Sequence, residues 1–351
     1  MKYLIVGPSW VGDMVMAQTL FICLKQQYPD ATIDVLAPKW SSAILSRMKE
    51  VSNCIDMPLS HGQLALSIRR KLALSLRSEQ YNHAIILPNS FKSALIPFWA
   101  NIPVRTGWRG EMRFGLINDM RRLDKKQSPL MVERFVALGY PKQASVPQIL
   151  PKPKLQIDPD KVTQTLHRHH LTLSNPILAL CPGAEFGASK QWPADYYSTL
   201  AMNKLQMGWH VWLFGSEKDC KITDDILSYI PDQYQGNCFN LAGKTTLAEA
   251  VDLLSKVQAV VSNDSGLMHI AAALFRPLVA IYGSTTAKHT PPMNSNSKTL
   301  WLGLSCSPCF KRECPLGHHD CMKKLSPDRV TKALEQLQVQ ETSIATGAPE
   351  L

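Results

Sequence analysis

Val261-Ser-Asn-Asp-Ser-Gly-Leu-Met-His-Ile-Ala-Ala-Ala273 decides how this chain is read. An apolar, β-branched run from Gln258 stops abruptly at Asn263-Asp264-Ser265-Gly266. A helix-forming run, Leu267 to Leu274, follows at once. That order predicts a strand, a tight polar turn and a helix, with Asp264 or Ser265 as the cap. A helix entered this way aims unpaired backbone N–H groups, and the positive end of its dipole, at whatever sits above the turn. Gly266 lets a ligand approach the backbone closely. The site suits a phosphate or diphosphate; an ordinary capped turn is the plain alternative.

A length of 351 residues predicts two domains, each with its own core. Hydrophobic residues at 45% and charged ones at 19% describe an ordinary soluble globular chain. The start, Met1 to Pro8, is too short for a signal peptide and reads as a first strand. No apolar run reaches the length of a membrane span, so a cytoplasmic protein is expected. The nine cysteines then belong to a reducing compartment. Net charge is +10 and unevenly spread: residues 1–150 hold 19 Lys and Arg against 10 Asp and Glu, or +9, leaving +1 for the rest. Such a field predicts an anionic partner, whether a phosphorylated glycan or a membrane surface. Nucleic acid is excluded as the expected partner, because no helix-turn-helix, zinc-finger or aromatic RNA-binding motif accompanies the charge.

Short apolar runs alternate with longer amphipathic ones along the first half. Strands are expected at Lys2–Gly7, Thr32–Ala37 and Ala84–Leu87, and a helix at Met14–Gln27. A proline-spaced, polar stretch around Pro147, Pro151, Pro153 and Pro159 reads as an interdomain linker. The scheme then repeats: strands at Pro176–Cys181, His210–Phe214, Ala259–Ser262 and Leu278–Tyr282, helices at Ala194–Met207 and Leu247–Lys256. The fold class is α/β, with domains at 1–155 and 156–340 and a flexible tail at 341–351. Tandem parallel-sheet domains imply a cleft where the carboxyl ends of both sheets meet their ligands.

The turn after the first strand, Gly7-Pro-Ser-Trp-Val-Gly-Asp13, lacks both G-x-G-x-x-G and Gly-Lys-Ser/Thr, and carries an acid where a phosphate would be repelled. Asp13 is therefore a helix N-cap or a general base able to take a proton from a sugar hydroxyl. The corresponding turn of the second half runs Cys181-Pro-Gly-Ala-Glu-Phe-Gly-Ala-Ser-Lys190. Lys190 is suited to neutralising a departing diphosphate, if it is not simply a solvated surface lysine. Glu217 and Asp219 follow a strand end and suit either ribose hydroxyls or the start of a helix. His269, one turn into the phosphate-facing helix, is a ligand or a core histidine.

Taken together, GPSWVGDMVMAQ, LPNSFKSALIPFWANIPVRTGWRGEMR, CPGAEFGASKQWP, LFGSEKD, NLAGKTTL and VSNDSGLMHIAAAL resemble the lipopolysaccharide heptosyltransferases of the ADP-heptose-using glycosyltransferase family. They run in order from residue 1 to about residue 285 and so cover most of the chain. The resemblance implies the GT-B fold, two Rossmann-like domains facing across a cleft. It implies an inverting transfer of L-glycero-D-manno-heptose from ADP-heptose, bound by the second domain, to a lipid A–Kdo–heptose acceptor, bound by the first. By the matching motifs Asp13 is the base. Lys190, the Asp264-Ser265-Gly266 turn and His269 hold the diphosphate. Glu217 falls on the donor side. Glu185 stands where a related heptosyltransferase has threonine at the phosphate site, which points to a role in orienting the sugar, and Thr245 falls in the adenine-side segment as a backbone contributor. Lys92, Arg105 and Arg109 share one long matching segment and are expected to contact the acceptor. The reaction as this family runs it needs no metal or other cofactor, and acts at the cytoplasmic face of the inner membrane.

Arg69, Arg70, Lys71 and Arg77 interrupt an apolar run, Leu64 to Leu76, that suits either a membrane surface or an amphipathic core helix. Cys306-x2-Cys309-x4-Cys314-x6-Cys321, with His318 and His319, places four thiols within reach of one tetrahedral metal, with structural zinc, free thiols and disulfides all open. Two rival classes remain. An NAD-dependent oxidoreductase should show a glycine fingerprint after the first strand and an acid ending the second, where this chain reads Leu36-Ala-Pro. A non-catalytic, basic glycan- or membrane-binding protein would keep the charge without needing Asp13 and Lys190.

Overall fold

A computed structural model describes residues 1–59, 62–142 and 144–346, with side chains through Leu337. The chain divides into two compact units, Met1–Gln156 and Ile157–Leu351. The proline-spaced stretch belongs with the first unit as far as Gln156 because its backbone is bonded there. Gln18 donates to the Lys154 carbonyl at 2.8 Å and accepts from its N–H at 2.9 Å, and Gln156 N–H donates to the Arg47 carbonyl at 2.8 Å.

The first unit holds β1 (Lys2–Val6), β2 (Thr32–Pro38), β3 (Asn53–Met57), β4 (His83–Ile86), β5 (Val104–Trp108) and β6 (Asp119–Arg121). All pair in parallel, in the order β3-β2-β1-β4-β5-β6. The second unit holds β7 (Ile177–Cys181), β8 (His210–Leu213), β9 (Cys238–Asn240), β10 (Ala259–Asn263), β11 (Leu278–Ile281) and β12 (Ser297–Leu300), likewise parallel, in the order β12-β11-β10-β7-β8-β9. Counted from its own first strand, each sheet has the same doubly wound order, reversing direction between its first and fourth strands. Ligands of such sheets bind in the crevice outside the carboxyl ends at that reversal. Here the crevices are lined by the segments after β1 and β4, and by those after β7 and β10.

Central strands are buried on both faces, as parallel sheets covered by helices must be, so β7, β8, β10 and β11 read as continuous apolar runs. The helix Val11–Gln27 is not amphipathic as expected: an unbroken run from Met14 to Phe21 is buried. Five strands escaped the sequence reading, namely β3, β5, β6, β9 and β12. They lie toward the sheet edges, are short and carry polar residues, so neither an apolar run nor an alternation marks them.

The expected tail needs correction. A last helix spans Pro327–Thr346 and so covers the first part of 341–351. No glycine or proline interrupts residues 328–346, so the backbone chemistry forces no earlier stop. The rest of the expected tail, 347–351, lies outside the described residues. Among the described residues no helix is long and apolar enough to cross a membrane.

Candidate active site

The decisive stretch folds as β10, a turn and the helix Gly266–Ala273. Of the two candidate caps it is Ser265 that serves, its side chain accepting from the Met268 N–H at 3.4 Å. Asp264 does something else. Its carboxylate takes the Lys190 ammonium at 2.6 Å and the Thr285 hydroxyl at 2.6 Å. Lys190 Nζ also donates to the Asp264 carbonyl at 3.3 Å and lies 5.0 Å from the Phe186 ring centroid. Asp264 is buried, its side chain 5% exposed, and the Lys190 side chain is largely covered at 13%, so Lys190 is not a solvated surface lysine. The result is a cation fixed beside the N-terminus of a helix, at the carboxyl ends of β7 and β10.

Asn263 fixes this arrangement and was missed by sequence reasoning. Its side-chain oxygen accepts from the Trp192 N–H at 3.3 Å and the Tyr197 hydroxyl at 3.0 Å, while its amide donates to the Pro182 carbonyl at 2.6 Å. One buried amide thus ties the end of β10 to both the turn after β7 and the helix Ala194–Gln206. Gly187 lies at φ +153°, and a Cβ there would come within 2.4 Å of the Arg312 carbonyl oxygen, so only glycine fits.

His269 is buried, and its pKa is lowered from 6.5 to about 4, chiefly by burial, with Asp264 opposing and Lys190 assisting. It is therefore neutral near pH 7 and offers a diphosphate a hydrogen bond, not a charge. His83, lowered to about 4 mainly by burial, behaves alike. Because the unfolded state takes up protons near pH 6.5 and the folded state only near pH 4, the unfolded chain binds more protons between those values. Stability therefore rises with pH in that window, and is lost as pH falls through it, by up to ~1.4 kcal/mol per unit for each group. Melting temperatures measured from pH 7.5 to 4.5 should fall, with a shallower slope in His269→Gln. An unchanged slope would contradict the assignment.

The other expected donor residues separate into two sets. The turn at Glu217 abuts the Gly243–Thr245 segment: Gly243 N–H donates to the Gly215 carbonyl at 3.1 Å, and a Cβ on Gly243 would lie 3.3 Å from Glu217 Cα. Glu217 is exposed. The Thr245 hydroxyl is turned to the Leu241 carbonyl at 3.4 Å. Asp219 starts a helix, accepting from Ser216 N–H at 2.8 Å and Ser216 hydroxyl at 2.7 Å. Glu185 is half exposed and paired with Lys218 at 2.5 Å.

In the first unit Asp13 occupies the third position of the helix Val11–Gln27, half-buried beside the carboxyl end of β1. It is not the cap. The helix starts three residues earlier than expected and Trp10 occupies the N-cap without a side-chain hydrogen bond. Arg105 is occupied by backbone: it donates to the Leu116 carbonyl at 2.7 Å and the Ile102 carbonyl at 2.6 Å, and stacks 5.5 Å from Phe98. Arg109 is exposed over Phe114, and Lys92 is half-buried in the turn after β4. Arg113, not anticipated, is buried at the same crevice, donating to the Pro88 carbonyl at 2.8 Å and the Asn89 side chain at 3.1 Å.

The model of glycosyltransferase family 9 (heptosyltransferase) matches residues 69–319, more than half the chain. The chain belongs to glycosyltransferase family 9. Lipopolysaccharide heptosyltransferase 2 of Escherichia coli (strain K12) is 47% identical over 97% of this chain and 99% of that protein. Lipooligosaccharide heptosyltransferase 2 of Haemophilus influenzae is 45% identical over 96% and 99%. Among solved structures, E. coli ADP-heptose LPS heptosyltransferase II superposes with a TM-score of 0.89 at 45% identity, over 97% of this chain and 100% of that one. A family 9 glycosyltransferase from Veillonella parvula shares the fold at 17% identity, with a TM-score of 0.84 over 97% of each chain. The two parallel-sheet α/β units thus have the GT-B fold, and this family 9 chain is a heptosyltransferase.

Proposed function

We propose that this heptosyltransferase moves L-glycero-D-manno-heptose from ADP-heptose to the first heptose of the lipopolysaccharide inner core, inverting the anomeric carbon. The Lys190–Asp264 pair at the N-terminus of the helix Gly266–Ala273 carries the reading, because it joins a cation to a helix dipole in one crevice. The near-full-length identity to proteins named heptosyltransferase 2 supports the choice of acceptor. The acceptor hydroxyl attacks the anomeric carbon, its proton passes to Asp13, and the bond to the diphosphate breaks with its electrons leaving on ADP. The growing charge is met by Lys190, by the N–H groups behind Ser265 and Gly266, and by neutral His269. Asp264 bears a charge a diphosphate would repel, so it acts through Lys190 as a positioning residue. Glu217 and Thr245 belong to the nucleoside end. Glu185, with Lys218, lies toward the sugar. No cofactor takes part.

The first unit binds the acceptor at the cytoplasmic face of the inner membrane. Leu66, Ile68 and Leu74 of the helix Leu66–Ser75 are exposed, as is Leu64 just before it, with Arg70, Lys71 and Arg77 also exposed. Leu72, Ala73 and Leu76 pack into the core, while the exposed apolar and cationic side chains suit an anionic lipid surface. Arg69 is buried there, bonded to the Leu64 and Gln63 carbonyls, and takes no part.

Charge-dependent acceptor binding makes a direct test. Salt screens exposed charges beyond about 10 Å at 0.1 M, so the KM for acceptor should rise with ionic strength while the KM for ADP-heptose holds. Arg109→Ala and Lys92→Ala should raise acceptor KM selectively. Arg105→Ala should instead lower the melting temperature and disturb both substrates alike, because its guanidinium holds backbone carbonyls. A salt-insensitive acceptor KM, or equal effects of Arg109→Ala on both substrates, would overturn the assignment.

A further inference from the structure

Between β12 and the last helix the chain runs through residues 301–326 with only one short helical turn, Asp320–Lys323. So long an irregular segment in a compact domain needs something to hold it. It carries Cys306, Cys309, Cys314 and Cys321, all free thiols and all partly exposed. These four, with His318 and His319, line one small cavity of about 20 Å³ that Ser189 also borders. That volume admits a single water or ion.

Cys314 sits in a turn closed by the Gly317 N–H on its carbonyl at 3.1 Å, and that turn brings His318 and His319 onto the same cavity. Four thiols and two imidazoles gathered on one cavity are the donor set that a thiophilic ion takes. Cys321 lines the same cavity as the other three thiols, and a Cβ on Gly283 would come within 3.1 Å of the Cys321 sulfur, so that thiol is held against the end of β11. The family's transfer chemistry makes no use of these groups.

We propose that Cys306, Cys309, Cys314 and Cys321 bind one divalent, thiophilic ion of the zinc class in tetrahedral geometry. Among the described residues no three His, Cys, Asp or Glu side chains already stand as ligands of one ion, so binding draws the thiols in around the cavity. Each thiol gives up its proton to solvent, four per ion, and the resulting thiolates are stabilised by the metal. The ion acts as a staple for the segment, and the segment in turn braces the Lys190 turn. Ser189 donates its N–H to the Arg312 carbonyl at 3.0 Å and its hydroxyl to the Lys311 carbonyl at 2.5 Å. Phe310 N–H donates to the Ser284 carbonyl at 2.8 Å, and Ser284 Oγ in turn lies 2.9 Å from Ser189 Oγ.

The test uses the full chain and needs no substrate. Protein purified from zinc-supplemented cells should carry about one zinc per chain by elemental analysis. Exchange into Co(II) should give the intense near-ultraviolet thiolate-to-metal absorption and the visible bands of a tetrahedral tetrathiolate site. Chelation should remove both and speed amide exchange in peptides spanning Gly187–Lys190. Cys314→Ser and Cys309→Ser should each lose the cobalt thiolate signature. Absence of bound metal at micromolar free zinc would overturn the proposal, as would disulfide-linked peptides from freshly lysed cells or an unaltered cobalt spectrum in both variants. The cobalt spectrum of the unaltered chain keeps the test decisive if a variant fails to fold.

Discussion

Asp13→Asn is expected to lower kcat by roughly 10²-fold or more while the KM for ADP-heptose stays near its starting value. The substitution is nearly isosteric and removes the carboxylate that holds the acceptor's proton. Because Trp10, not Asp13, is the N-cap, no cap is lost. One structural cost is the loss of a favourable carboxylate–dipole interaction in the first turn, about 0.3–1 kcal/mol, so a melting curve accompanies the kinetics. A steady melting temperature with collapsed turnover identifies a base. Near-normal turnover in Asp13→Asn would remove Asp13 from the chemistry.

Lys190→Ala is the second large effect. If the ammonium meets charge developing on ADP, its loss should cost about 2–4 kcal/mol of transition-state stabilisation, seen chiefly in turnover. Structure complicates the experiment, since Asp264, with its side chain 5% exposed, would be left with Thr285 but no cation. Removing one partner of a buried pair commonly costs about 3–5 kcal/mol of stability. The double variant Lys190→Ala/Asp264→Asn separates the two effects by removing the stranded charge. It should regain most of the lost melting temperature and none of the lost turnover. Recovery of activity in step with stability would show that Lys190 serves the fold alone, and unchanged kinetics in Lys190→Ala would sink the role altogether.

How far the sequence could be read follows from the range of the interactions involved. Strand β10, its turn and its helix were legible because their signals are local: a β-branched run, a capping residue three positions before the N–H it accepts from, and a following run rich in leucine, methionine and alanine. The same holds for the strands at the sheet centres. Edge strands such as Asp119–Arg121 were not legible, since two charged residues around one methionine pair only because β5 lies beside them. The site divides along the same line. Lys190 and Asp264 were both singled out, but their mutual ion pair spans 74 residues of sequence and nothing local announces it. Asn263 and Thr285 were passed over for that reason, and so was Arg113, whose partners Pro88 and Asn89 come from another strand's turn. Arg105 illustrates the converse. Its charge suggested an anionic ligand, while the fold spends its guanidinium on the carbonyls of Ile102 and Leu116.

The central claim is a transfer, and mass measurement of its product tests it most directly. The purified chain is incubated with ADP-heptose and Kdo2–lipid A bearing one heptose, and the lipid is then weighed and its new linkage analysed by NMR. Addition of a single heptose to the existing one, inverted at the anomeric carbon and accompanied by release of ADP, is the predicted result. No added mass with this acceptor, or a product that retains the donor's configuration, would contradict it.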